Sequence, residues 1–146
     1  MYHNYFNILK LVSLILLGSL LHCSDVIAQN KKIVDSLTSI LSNSSDREKA
    51  AVLMDIGIEY TRGDNEKGLP YFEEAYSISI KNGDSLGIVS SGWLKGEILR
   101  RIERMNESNE ILNYILGIAE RNGIQKYYKR ILNTQELYHN LPEKYD

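Results

Sequence analysis

Apolar residues recur along this chain at helical spacing. Ile33, Leu37, Ile40 and Leu41 stand at i, i+4, i+7 and i+8, the stripe of one helix face, and Asn43 and Ser44 end that short helix. Ser45-Asp46-Arg47-Glu48 has the form of a capping box, in which the cap serine and the glutamate three residues on satisfy each other's backbone donors. The helix that follows carries Ala50, Leu53, Ile56 and Tyr60 on one face. Gly63-Asp64-Asn65 makes the turn into a second helix, which runs to about Lys81 and buries Leu69, Phe72, Ala75, Tyr76 and Ser79. Gly83 supplies a left-handed stop. Asp84 or Ser85 caps a third helix bearing Ile88, Ser91, Leu94, Ile98 and Ile102. Asn106 caps a fourth, with Ile111, Leu112, Ile115 and Ala119 inward, and Gly123 ends it. A fifth, from Ile124 to Asn140, carries Tyr127, Tyr128, Ile131, Leu132, Leu137 and Tyr138. No stretch sustains the period-2 alternation of a strand, so the expected class is all-α.

The pattern repeats. Lys81-Asn82-Gly83 returns forty residues later as Arg121-Asn122-Gly123, and Phe72, Ala75 and Ile78 return as Leu112, Ile115 and Ile118. Ile56-Gly57 and Tyr60 lie 39 residues before Lys95-Gly96 and Leu99. A fixed period of this size is the mark of stacked supersecondary units. Pro70 sits inside the second helix and removes a backbone donor, so that helix is expected either to start late, near Leu69, or to kink.

The first residues read differently. Leu11–Leu21 is an uncharged apolar run of eleven, preceded by Lys10. Spanning a bilayer takes ~20 residues, so the run has instead the size of a signal-peptide core. Val26 and Ala28 supply the small side chains of a cleavage site, with cutting expected between Ala28 and Gln29. A lipoprotein signal would place a small residue before Cys23, and His22 stands there. Residues 1–28 are therefore read as a signal peptide, 29–44 as a linker helix and 45–146 as the repeat domain, two units and the first helix of a third. The mature chain is expected in the periplasm or outside the cell, with no membrane span.

Composition narrows the chemistry. The 146 residues carry a formal net charge of −2, with one cysteine and three histidines. One cysteine rules out a disulfide scaffold and a multi-cysteine zinc site. Beyond Gln29 the one histidine is His139, and no strand–turn–helix nucleophile elbow accompanies it. Glu73-Glu74, Asp55 with Glu59, and Glu107 with Glu110 are carboxylate pairs on amphipathic helices, where such residues are solvated faces unless a cleft shifts their pKa values. No glycine-rich phosphate loop occurs. Arg100, Arg101 and Arg104, then Lys126, Lys129 and Arg130, form two basic clusters diluted by Glu97, Glu103 and Glu136. They make no coherent stripe for nucleic acid. Catalytic residues, cofactor, metal and nucleic acid are all expected to be absent.

The repeating units resemble tetratricopeptide repeats. In the first, Leu53, Ile56-Gly57 and Tyr60 match the family's first helix, Gly63-Asp64 its turn, and Gly68, Phe72 and Ala75 its second helix. In the second, Gly96 and Leu99 match, with Ser108, Leu112 and Ile115 in the small, large and small places. Ile115 departs by its bulk, and the period is longer than the family's usual length of about 34 residues. Armadillo-type repeats share the longer period. The resemblance implies antiparallel helix pairs stacked in a right-handed superhelix, whose groove is lined by the first helix of each unit. On that implication Trp93, Glu97, Arg100 and Arg101, with Arg130 and Asn133 from the third unit, face the groove. It implies a protein- or peptide-binding scaffold or adaptor rather than an enzyme.

A narrower resemblance is to the exported front end of bacterial sensor kinases and of regulators with a helix-turn-helix output. That implies, as an alternative, the input region of a signal-transduction protein whose membrane and output parts are missing here. The aromatic and apolar residues of the fifth helix cover more than one of its faces. An exposed apolar strip is therefore expected there, inviting a homodimer through the C-terminal helix.

Overall fold

In a computed structural model, residues 31–139 are described, with the side chains of 136–139 outside the description. The expected leader, Cys23 and the Ala28–Gln29 cleavage site lie outside the described residues. Of the described residues, 37–139 belong to one compact unit. The described residues form six helices and no strand: α1 (31–41), α2 (Asp46–Thr61), α3 (Asn65–Lys81), α4 (Ser85–Arg101), α5 (Met105–Arg121) and α6 (Gln125–His139). The last four begin at 65, 85, 105 and 125, so the forty-residue period of the sequence is two steps of twenty, each a helix with its turn.

Three-residue turns make consecutive helices antiparallel. At the α3–α4 turn the Gly83 N–H donates to Ile80 O and the Asp84 N–H to Ser79 O, both at 3.0 Å. The same paired bonds recur at the α4–α5 turn through Glu103 and Arg104, and at the α5–α6 turn through Gly123 and Ile124. This closure needs a left-handed residue, and Gly83, Glu103 and Gly123 have φ of 62, 65 and 64°. Glu103 is the departure, because a side chain in that region costs about 1 kcal/mol.

Entry into the helices varies too. Ser45 N–H and Oγ–H both donate to Glu48, at 2.9 and 2.6 Å. Asp64 Oδ1 accepts from the Glu66 and Lys67 amides, and Asp84 Oδ1 accepts from the Gly87 amide. The fourth helix of the sequence reading starts at Met105 behind Arg104, not behind Asn106, and no side chain caps it. Arg104 instead grips Glu107 with two bonds of 2.6 Å. α3 starts at Asn65 and runs through Pro70, so the proline does not delay the start, and its missing N–H removes one intrahelical bond.

Close crossings hold each pair together. A Cβ on Gly57 would lie 2.5 Å from Phe72 Cε1, and one on Gly68 would meet the Thr61 methyl and Gly57 O. Forty residues on, a Cβ on Gly96 would lie 2.8 Å from Leu112 Cδ2, and Ser108 Oγ donates to Gly96 O at 2.8 Å. Ile115, bulky where a small residue is expected, is fully buried. Its space comes from Gly92, whose Cβ would lie 2.8 Å from Ile115 Cγ2. The equivalent residues of the first pair are Leu53 and Ala75, both buried in one cluster. Large and small have changed places across the same seam, which keeps the packed volume.

Three apolar clusters follow one another along the array. Leu41, Ala50, Leu53 and Ala75 make the first, and Leu69, Phe72, Ile98 and Leu99 the second. Val89, Leu112, Ile115, Ala119 and Ile131 centre the third, with Tyr127 and Tyr128 packed on it. The apolar strip expected on α6 is correspondingly narrow. Ile131 is buried, the two tyrosines are half-buried, and Leu132 is the one large apolar side chain of residues 125–135 left exposed. Leu137 and Tyr138 lie outside the described side chains.

Two stability predictions follow from these turns and seams. Glu103→Gly should raise the unfolding free energy by about 1 kcal/mol, read as a shift in the denaturant midpoint. Ile115→Ala should cost about 2–5 kcal/mol. Gly92→Leu should also destabilise, and the double variant, which copies the first pair, should recover more than ~1 kcal/mol relative to the sum of the singles.

Candidate functional site

The helices form two unlike layers. The backbones of α2 and α4, and of α4 and α6, approach closely, whereas those of α3 and α5 stay further apart. α2, α4 and α6 therefore form one side of the array, called the inner side below, and α3 and α5 lie on the other. Arg47 Nε pairs with Asp84 Oδ2 at 3.2 Å across the first seam.

On α4, Leu86, Ser90, Trp93 and Glu97 are spaced by four, three and four, so they share a face. Leu86 is 55% exposed. Trp93 lies between α4 and α6. Its Nε1–H donates to Thr134 Oγ1 at 3.2 Å, and that hydroxyl donates onward to Arg130 O at 2.9 Å. The Arg130 guanidinium sits 4.9 Å from the Trp93 ring and 5.7 Å from the Tyr127 ring. The two rings are 6.1 Å apart, tilted by 59°. Trp93 is therefore a tie between neighbouring hairpins before it is anything else.

One turn further, Glu97 Oε1 accepts from Arg100 Nη2 at 2.8 Å and from Arg101 Nε at 3.1 Å. Two guanidinium groups on one carboxylate leave a net positive charge. Glu97 and Arg100 are largely covered, while the Arg101 side chain is about half exposed. Of the six residues expected in the groove, the structure joins Trp93 to Arg130, and Glu97 to both Arg100 and Arg101. Asn133 is exposed on α6, three residues beyond Arg130. Thr134 and Tyr127 complete the Trp93 tie; their signal in the sequence is the i+7 spacing that places them with Arg130 on one face.

The outer side has its own concavity. Where α3 and α5 part, Tyr76 and Ile80, Lys95 and Leu99, and Glu107, Glu110, Ile111 and Tyr114 line a cleft of about 370 Å³. Lys95 Nζ is 3.3 Å from Glu73 and lies over the Tyr76 ring. Burial, and secondarily the nearby Tyr114, push the Tyr76 phenol up to about 12. The hydrogen bonds from Arg104 hold the Glu107 carboxyl below its ordinary value. Nothing in the chain pattern marks this cleft, because it is assembled from three helices.

At the α2–α3 turn the Tyr60 and Tyr71 rings stack at 5.1 Å. Of the carboxylate pairs, Glu73 and Glu107 are each bound to a cation, and Glu59 pairs with Arg62 at 3.3 Å. Among the described residues no cluster of three metal-ligating side chains occurs, and no helix is long and apolar enough to cross a membrane. The fold is an all-α array of packed antiparallel helix pairs. No protein-family model matches the chain, and no curated protein matches it.

The Tyr76 shift fixes a sign. A raised phenol contributes stability that is whole below about pH 10 and is lost as the pH rises towards about 12. Alkaline unfolding should therefore begin at higher pH in Tyr76→Phe than in the natural chain, followed by helix circular dichroism.

Proposed function

We propose that this chain is a non-enzymatic interaction module of the tetratricopeptide type, exported from the cytoplasm, whose α2–α4–α6 side holds a peptide or a segment of a partner protein. The observation that supports this reading is the close approach of α2 to α4 and of α4 to α6 while the backbones of α3 and α5 stand apart. A preformed helical surface loses little ordering entropy on binding. Along it lie Ile58, 36% exposed, and Leu86, then the cation-rich group of Arg100, Arg101 and Arg130. Exposed aliphatic side chains beside arginines suit an extended segment that carries both apolar and acidic residues. Export rests on the apolar run Leu11–Leu21 and the small residues Val26 and Ala28.

Capture of envelope proteins by the immobilised chain tests the reading. Arg101→Glu should lose the partner while its melting temperature stays close to that of the natural chain, because the side chain is half exposed and Arg100 still neutralises Glu97. Trp93→Ala should lose both partner and stability, since it opens the α4–α6 seam. Equal capture by the natural chain and Arg101→Glu would remove the inner surface from consideration.

A further inference from the structure

The outer cleft is separate from the inner surface and shares no lining residue with it. Six large apolar side chains are exposed among the described residues, and two of them stand together: Ile80, 48% exposed, and Tyr114, 57% exposed, both line the cleft between α3 and α5. Leu99 and Ile111 are also part of its lining. Around it the charge is acidic. Lys95 is neutralised by Glu73 and Arg104 by Glu107, while Glu110, exposed, makes no ion pair among the described residues.

The complementary surface is on the same chain. Between residues 125 and 135, α6 carries Lys126, Lys129 and Arg130 and no acidic residue. Arg130 is engaged with Trp93 and Lys126 lies over Tyr127, but Lys129 has no ion-pair partner among the described residues. Leu132, 40% exposed, follows Lys129 by three positions, so the apolar group and the free ammonium are neighbours on the helix surface. A free cation beside an exposed leucine matches a free carboxylate beside exposed Ile80 and Tyr114. The cleft, at about 370 Å³, admits side chains rather than a whole helix ~10 Å across.

We propose that the α3–α5 cleft is the docking site for α6 of a second copy of this chain, with Leu132 entering between Ile80 and Tyr114 and Lys129 meeting Glu110. Donor and acceptor surfaces differ, so the contact is heterologous: it closes as a reciprocal pair or continues from copy to copy. A contact this small is weak and forms at high protein concentration. Its ionic part orients the partners and is screened by salt.

The test is sedimentation velocity over a concentration series, on the full chain expressed with its own leader, its processed N-terminus read by mass spectrometry. Association is expected at low salt and should weaken ~10-fold at about 0.5 M salt. Glu110→Lys and Lys129→Glu should each weaken it ~10-fold, since each sets like charges together. The double variant restores the opposite pairing in the reversed sense and should return the association to within about twofold of the natural chain. Leu132→Ser should weaken it without rescue by either charge change. Both charged side chains are exposed, so melting temperatures should not move. Arg101→Glu, on the inner surface, should leave the association unchanged, which separates this contact from capture of a partner there. A monomer at every concentration overturns the proposal. So does association indifferent to salt and to both single variants, or a double variant no better than the singles.

Discussion

The array depends on backbone approach at two glycines. Phe72 lies where a Cβ on Gly57 would be, and Leu112 where one on Gly96 would be. These absences let a large side chain from one helix reach the axis of its partner, so each pair is held at a short distance by dispersion over a wide area. Gly68 and Ser108 repeat the approach from the other helix, the serine adding a hydrogen bond to the opposing backbone. With the pairs fixed, three-residue turns leave each new pair little choice of placement. The contact of α2 with α4 and of α4 with α6, and the parting of α3 from α5, follow from stacking units whose internal spacing is set.

The exchange of Leu53 and Ala75 for Gly92 and Ile115 shows what the array requires at a seam. It needs a fixed summed volume across two facing positions, and either helix can supply the large member. That is how Ile115 stands where the first pair has a small residue and still packs fully buried. Similarly, Glu103 occupies a backbone conformation that Gly83 and Gly123 hold at equivalent places, because two backbone bonds and the packing of α4 on α5 determine the turn whatever residue sits there.

Local chemistry was legible in the sequence. The helices, the glycine stops at 83 and 123, the Ser45–Glu48 box and most of the α3 face were readable because each is decided within one or two turns of chain. The α4–α5 turn was not, since neither a glycine nor an aspartate marks it and the entry was assigned to Asn106. Val89 was missed for another reason. α4 is packed on more than one side, so its buried residues fill most of the wheel and no single stripe describes them. The spacing of Trp93, Glu97, Arg100 and Arg101 on one face of α4 was readable, but not the pairing of Trp93 with Thr134 and Tyr127, which joins residues about forty apart. The outer cleft was invisible, because it exists only once α3 and α5 have been held apart over α4.

Trp93 is the only tryptophan in the chain, and its indole is enclosed by groups of α6 alone on that side: a hydroxyl on its nitrogen, a guanidinium over its face and a phenol ring beside it. Its emission is accordingly a private signal of one seam. If α6 detaches before the preceding pairs open, the indole enters water while most of the helix content persists. Intrinsic fluorescence and helix ellipticity would then separate on heating, and the gap between the two curves would measure how strongly the last helix is coupled to the rest of the array.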